Sequence, residues 1–307
     1  MANVALLIPF GEGGRPPELQ RHLQIMQHAW PDHMFTYVEV DLMIIGKARV
    51  MLIDTALTIN TDVMWFIDRD TFPPPHAGQL IQQALDLGIV SGLYFSRRLP
   101  FTPQAYIKAH EEGNEGKYWP LINYPATGLM VVDAVGGGML AVRTDVFRQM
   151  QTYYKERLAK SMKFVEDRCF GDPYAMEAFQ WLMRYSRHLS PWFEFLDKKG
   201  EDLYFCERAH DAGHIIWLNV DVKCAHQGLI EYREEHFIHL RDSGILQVAP
   251  TEAPGADELE VHGAEDTDEN TSLLVTGPEA LERSNDLPGT FRRIGVMHNL
   301  PGPLPGA

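Results

Sequence analysis

The sequence predicts an α/β fold, a sheet with helices packed on it, on three observations. Short apolar runs alternate with helical patterns through the first 249 of 307 residues. The hydrophobic fraction is 45%, ordinary for a folded chain, which excludes wholesale disorder. The alternation stops near Pro250, where Pro, Gly, Glu, Asp and Thr take over. Residues 1–249 are therefore expected as one folded domain and residues 250–307 as a flexible acidic tail.

The elements follow in order. Val4–Phe10 is a buried strand, closed by Pro9 and the loop Gly11–Pro17. Glu18–Trp30 carries Leu19, Leu23, Met26 and Trp30 at helical spacing. Met34–Val40 is a second strand, and Gly46–Leu57 a second helix with Ala48, Met51, Leu52 and Thr55 facing inward. Asp62–Ile67 is a third strand, ending at Asp68-Arg69-Asp70. Pro73-Pro74-Pro75 stops the chain, His76–Leu87 returns as a helix, and Ile89–Phe95 is a fourth strand. Gly136-Gly137-Gly138 separates the apolar runs Leu129–Val135 and Met139–Val142, and Thr144 reads as the cap of a helix starting near Asp145. Gly200-Glu201-Asp202 opens a helix that ends at Gly213, and strand His214–Val220 leads to His226.

Composition narrows the function. The chain holds 27 Lys+Arg against 42 Asp+Glu, a net charge of −15. Residues 250–307 contribute −8 of that and the rest −7. This sign disfavours a polyanion bound over a broad surface, though a local basic groove is compatible with it. Cys169, Cys206 and Cys224 have no CxxC spacing, so neither a disulfide framework nor a zinc knuckle is supported. No apolar run reaches the roughly 18–20 residues of a membrane span, and Met1–Phe10 has no basic n-region. A soluble, cytoplasmic protein without a membrane partner is expected.

The most informative residues are Asp68 and Asp70. Carboxylates two apart on a strand point to the same side, and here they lie where the strand leaves the sheet. Ligands of open α/β sheets bind at that carboxyl edge. Two carboxylates about 4 Å apart repel by roughly 4 kcal/mol at an effective dielectric of 20. A divalent cation relieves the repulsion, and oxygen ligands select a hard ion, Mg²⁺ or Mn²⁺. The alternative is a pair of solvated acids flanking a turn, and a DxD triplet alone is a weak signal. Gly46-Lys47-Ala48-Arg49 opens a helix and offers backbone N–H groups and two cations to a phosphate. Gly136–Gly138 lets backbone approach a ligand closely, or simply forms a bulge. His226, at a strand end, adds a nitrogen that can reach a metal. Glu201 and Asp202 sit in a helix first turn, where the dipole favours acids without any function and lowers their pKa; burial and mutual repulsion raise it. His236 and His239 beside Glu234 and Glu235 read as a solvated helix face rather than a second metal site.

The assembly Arg49, Trp65-Phe66-Ile67-Asp68-Arg69-Asp70, Gly136-Gly137-Gly138-Met139-Leu140, Gly200-Glu201-Asp202-Leu203-Tyr204-Phe205-Cys206, Trp217 and His226 resembles the GT-A family of glycosyltransferases. It is most similar to small bacterial and bacteriophage members, in matching order over roughly residues 3–240. The resemblance implies a Rossmann-like mixed sheet flanked by helices and transfer of a sugar from a nucleotide-sugar, a UDP-sugar, by an inverting route. It implies that Asp68, Asp70 and His226 hold Mn²⁺ or Mg²⁺ on the diphosphate. It implies that Pro9, Phe10 and Arg49 contact the nucleotide, and Lys47, Asp68, Arg69, Gly137 and Gly138 are expected beside them in the donor site. Asp202 matches the acid that deprotonates the acceptor, with Glu201 beside it. The acceptor classes implied are a 5-hydroxymethylpyrimidine in bacteriophage DNA, a glycan or a protein. The stretch from Arg97 to Tyr124 matches no part of the pattern; its cations and aromatics, Arg97, Lys108, Tyr118 and Trp119 among them, offer a groove for a flipped base or form an ordinary loop.

A second enzyme class shares strand-Asp-x-Asp, the haloacid dehalogenase-like phosphatases. Those usually begin with that strand and place Thr or Val two residues after the second Asp. Here two βα units come first and Phe72 stands at that position. A non-catalytic nucleotide-binding module is the third reading.

Overall fold

Strands that are apolar on both faces need cover on both faces, and this requirement shapes the molecule. The computed structural model describes residues 1–10, 15–41, 44–97, 101–109, 116–166, 173–174, 177, 192–195, 199–228 and 231–242. The expected tail at 250–307, the loop glycines 11, 13 and 14, and Cys169 lie outside the described residues. β1 (Asn3–Phe10) pairs in parallel with β2 (Met34–Asp41) on one side and β3 (Val63–Ile67) on the other. β10 (Met139–Arg143) then runs antiparallel between β3 and β5 (Ile89–Leu93). β11 (Ile216–Lys223), parallel to β5, and antiparallel β8 (Leu129–Val132) complete a seven-stranded mixed sheet. This is the mixed α/β architecture the sequence predicts.

Alternate residues of each strand feed opposite layers. Val4, Leu6, Ile8, Val63, Trp65 and Ile67 pack with α1 (Pro17–Ala29) and α3 (Gln79–Leu87). Ala5, Leu7, Met64 and Phe66 pack on the other face with α2 (Ile45–Leu57), α4 (Thr144–Glu166) and α5 (Glu201–Asp211). α1 buries Leu19, Leu23 and Met26, one per turn, and begins with Pro17, whose missing N–H costs nothing in a first turn. α3 ends at Gly88, whose φ of 92° is a left-handed conformation that glycine adopts without strain. A final helix, α6 (Glu234–Asp242), buries Phe237. Among the described residues no helix is long and apolar enough to cross a membrane.

Several elements depart from the sequence expectation for identifiable reasons. α2 buries Arg49, Ile53 and Ala56 along with Ala48 and Leu52, whereas Met51 and Thr55 are only half-buried. Apolar spacing pointed the helix about one residue off, because a buried arginine does not register as an inward position. The expected helix from His76 starts as a 3₁₀ turn, Pro75–Gly78, which the proline run imposes. The run Leu129–Val135 divides between β8 and β9 (Ala134–Val135), and β9 joins β6 (Ala105–Lys108) and β7 (Tyr118–Pro120) in a separate sheet. The strand expected at 214–220 runs from Ile216 to Lys223. Thr144 begins α4, and its buried Oγ1 makes no hydrogen bond, so it does not supply the expected cap.

Candidate active site

The carboxyl ends of β1, β3, β5 and β11 and the start of β10 share one sheet edge. Phe10, Asp68, Tyr94, Gly138 and the segment leading to His226 therefore gather there. A three-stranded ladder finishes the edge: β12 (Ala225–Gln227) pairs with β4 (Thr71–Phe72) and with β13 (Glu231–Tyr232). The Gln227 N–H donates to the Asp70 carbonyl at 2.7 Å, which carries His226 to Asp70 across 156 positions of sequence.

Asp68 and Asp70 do not share a strand face. β3 ends at Ile67, and the two acids sit in a turn closed by the Thr71 N–H on the Asp68 carbonyl at 3.0 Å. The period-two rule therefore stops applying one residue too early, and the carboxylates take different partners.

Asp68 belongs to a buried cluster centred on Arg49. Arg49 Nη2 donates to both Asp68 oxygens, at 2.9 and 3.0 Å. Its Nη1 donates to Glu201 Oε1 at 2.8 Å and to Asp202 Oδ1. The guanidinium lies 5.3 Å from the centre of the Phe193 ring, and its Nε is buried without a hydrogen bond. Burial opposes its charge, but Asp202, Asp68 and Glu201 outweigh burial and hold its pKa well above the ordinary value. One guanidinium cannot neutralise three carboxylates. Burial, helped by the Asp202 charge, pushes Glu201 up to about 8 against the pull of Arg49. Asp202 is raised too, by burial first and by Asp68, while Arg49 and the Gly137 N–H pull it down. The helix dipole that favours acids in a first turn is overcome here. Asp202 keeps a quarter of its side chain exposed, whereas Glu201 keeps a tenth.

The glycine triplet serves this cluster. A Cβ on Gly137 would lie 2.5 Å from Arg49 Cζ and 2.7 Å from Asp202 Oδ1. A Cβ on Gly136 would lie 2.1 Å from the Tyr94 hydroxyl oxygen, and one on Gly138 3.0 Å from Asp68 Oδ2. Backbone does approach closely, as expected, but what it approaches is the protein's own side chains. The Gly138 N–H also donates to the Tyr94 hydroxyl at 2.9 Å.

Asp70 heads a second group, in which Arg97 is the exposed member. Its Oδ2 accepts from Arg97 Nη1 at 2.6 Å, and its Oδ1 faces His226 Nε2 at 3.4 Å. Burial pushes the Asp70 pKa up, but His226 and Arg97 together outweigh burial and hold it below its ordinary value. His226 Nδ1 lies 2.6 Å from the Phe95 carbonyl, which can only accept, so Nδ1 carries a proton. The His226 ring meets Tyr94 edge-on at 5.4 Å, so Tyr94 touches both groups.

The structure thus brings Asp68, Asp202, Glu201, Arg49, Gly137 and Gly138 into one cluster and Asp70 and His226 into its neighbour. Pro9 and Phe10 lie buried at the end of β1 on the same edge. Arg69 is half-buried in the turn between the acids. Lys47 is exposed on α2, about 200° around the helix from buried Arg49, and joins neither group. No three His, Cys, Asp or Glu side chains among the described residues form a ready metal cage, at α6 or elsewhere. Sequence reasoning missed Tyr94 altogether; its only signal was its position at the end of an apolar run reaching this edge.

No family model matches the sequence, and no curated protein matches it. Among solved structures the chain is similar to A197 from STIV, at 16% identity over 74% of this chain and 86% of that one, with a TM-score of 0.44. It is similar to residues 1–349 of TarS from S. aureus, at 11% identity over 72% of this chain and 58% of that one, with a TM-score of 0.38. A longer S. aureus TarS structure matches at 12% identity over 72% of this chain and 35% of that one, with a TM-score of 0.39. These likenesses transfer no residue role to this chain.

Proposed function

We propose that the chain is a glycosyltransferase that moves a sugar from a nucleotide-sugar, a UDP-sugar, to an acceptor hydroxyl with Mn²⁺ or Mg²⁺ bound. The observation that carries this reading is the facing pair His226 and Asp70. With Nδ1–H committed to the Phe95 carbonyl, Nε2 is the ring atom turned toward a carboxylate oxygen, 3.4 Å away. A ring nitrogen and a carboxylate oxygen facing each other in this way can share a cation, and a carbonyl on the other ring nitrogen is the usual support of a metal-binding histidine. Asp70 and His226 would hold the ion, while Asp68 is engaged by Arg49. A bound divalent ion stabilises the negative charge that grows on a departing diphosphate.

The chain's own residues supply the rest. Asp202, more exposed than Glu201 and raised in pKa, takes the proton of the acceptor hydroxyl. The oxygen then attacks the anomeric carbon, the bond from that carbon to the phosphate oxygen breaks, and the nucleoside diphosphate leaves. Arg49 fixes Asp202 and Asp68 through charge-assisted bonds and touches no substrate. Glu201 shares Nη1 of Arg49 with Asp202 and acts as a positioning residue.

The test is incubation with Mn²⁺, a panel of nucleotide-sugars, and either saccharides or DNA containing 5-hydroxymethylpyrimidines. The expected result is a mass gain of one sugar on one acceptor class, reduced about 100-fold or more in Asp202→Asn. Full transfer by Asp202→Asn together with loss in Asp68→Ala would overturn the base assignment and favour a retaining route. Phosphate release from simple esters without a sugar donor would favour the phosphatase reading instead.

A further inference from the structure

Asp70 is flanked by a different cationic or cation-seeking group on each oxygen, Arg97 on Oδ2 and His226 on Oδ1. The two differ in how firmly they are held. His226 is buried and pinned by the Phe95 carbonyl. The Arg97 side chain is 47% exposed and reaches Asp70 through its Nη1, 2.6 Å from Oδ2. The chain leading into Arg97 is anchored, because the Ser96 N–H donates to the Thr102 carbonyl at 2.9 Å and Phe95 bridges Pro103. An exposed guanidinium on an anchored stretch can change partner by side-chain rotation alone.

Charge supplies the reason to change. A divalent cation arriving at Asp70 meets a guanidinium 2.6 Å from the carboxylate it needs, and like charges repel. A diphosphate brings compensating negative charge to the same place, and the guanidinium fork fits phosphoryl oxygens as well as it fits a carboxylate. The exposed arginine end lets water compete for the pair and weakens it, which eases the exchange.

We infer that Arg97 is an exchange residue of this site: it neutralises Asp70 while no divalent cation is bound, and moves to the phosphoryl oxygens of the nucleoside diphosphate when the cation takes Asp70. The inference rests on the metal-diphosphate reading above and adds a residue to it.

Titration calorimetry of the full chain tests both halves, with Mn²⁺ alone and then with UDP at saturating Mn²⁺, in the unaltered protein and in Arg97→Ala. Removing the competing cation should tighten Mn²⁺ binding about fivefold, the scale of an exposed ion pair. The same change should weaken UDP binding about tenfold, the scale of a charge-assisted contact. Unchanged Mn²⁺ affinity, or unchanged UDP affinity, overturns the exchange. Asp70→Asn separates this outcome from failure of the underlying site, because it should abolish the Mn²⁺ signal that Arg97→Ala strengthens. If the unaltered protein and Arg97→Ala both bind UDP but neither binds Mn²⁺, the metal reading falls and the exchange falls with it.

Discussion

Two arginines meet carboxylates at one sheet edge in opposite settings, and the contrast separates framework from working surface. Arg49 is 2% exposed, binds three acids at once and lies against Gly137, where a side chain would collide with it. Arg97 is 47% exposed and holds a single acid. Burial makes the first arrangement a condition of the fold, since an unpaired charge cannot stay there. Exposure makes the second negotiable. The lesson is that the DxD acids serve separately: Asp68 is held by a buried arginine and Asp70 by an exposed one.

The sharpest way to break the contrast is Arg49→Met. It strands Asp68, Glu201 and Asp202 without their cation and should destabilise the protein by about 3–5 kcal/mol in urea unfolding. Arg97→Ala should change the same measurement by less than about 1 kcal/mol. Equal effects would erase the distinction. Gly137→Ala comes next, because its Cβ meets the rigid end of Arg49 rather than a yielding side chain. A cost of about 1–3 kcal/mol is expected, with transfer activity falling alongside it.

The two groups should also answer pH with opposite signs. Glu201 has an ordinary pKa of 4.5 and rises to about 8 in the fold. The native state therefore keeps a proton that the unfolded chain has lost, and stability falls as pH rises from 4.5 to about 8. Glu201→Gln should flatten that fall in a series of thermal melts. Asp70 is held below its ordinary value, so its contribution is present above that value and disappears as pH falls through the lowered one. Asp70→Asn should remove this smaller acid-side loss and leave the slope above 4.5 intact.

Much of the fold was legible because burial leaves a trace in spacing. Val4–Phe10 of β1, all of β3 and Met139–Val142 of β10 are uninterrupted apolar runs, and α1 shows its buried face at Leu19, Leu23 and Met26. The site was legible in its residue types, since acids at a strand end and at a helix start stand out against apolar neighbours. Their partners were not. Arg49 looks from sequence like a surface cation beside Lys47, and only packing decides that one points into the protein and the other into water. Tyr94 carried no signal beyond its position at a strand end.

The sequence by itself determined the order of strands and helices and which acids end up near a sheet edge, because periodicity and chain reversal are local properties. Tertiary structure alone decided that Asp68 pairs with Arg49, that His226 reaches Asp70 through the β4–β12 ladder, and that Gly137 must lack a side chain. Those outcomes depend on segments far apart in sequence meeting at distances of about 3 Å, and the charge of each group is then set by how much water the meeting excludes.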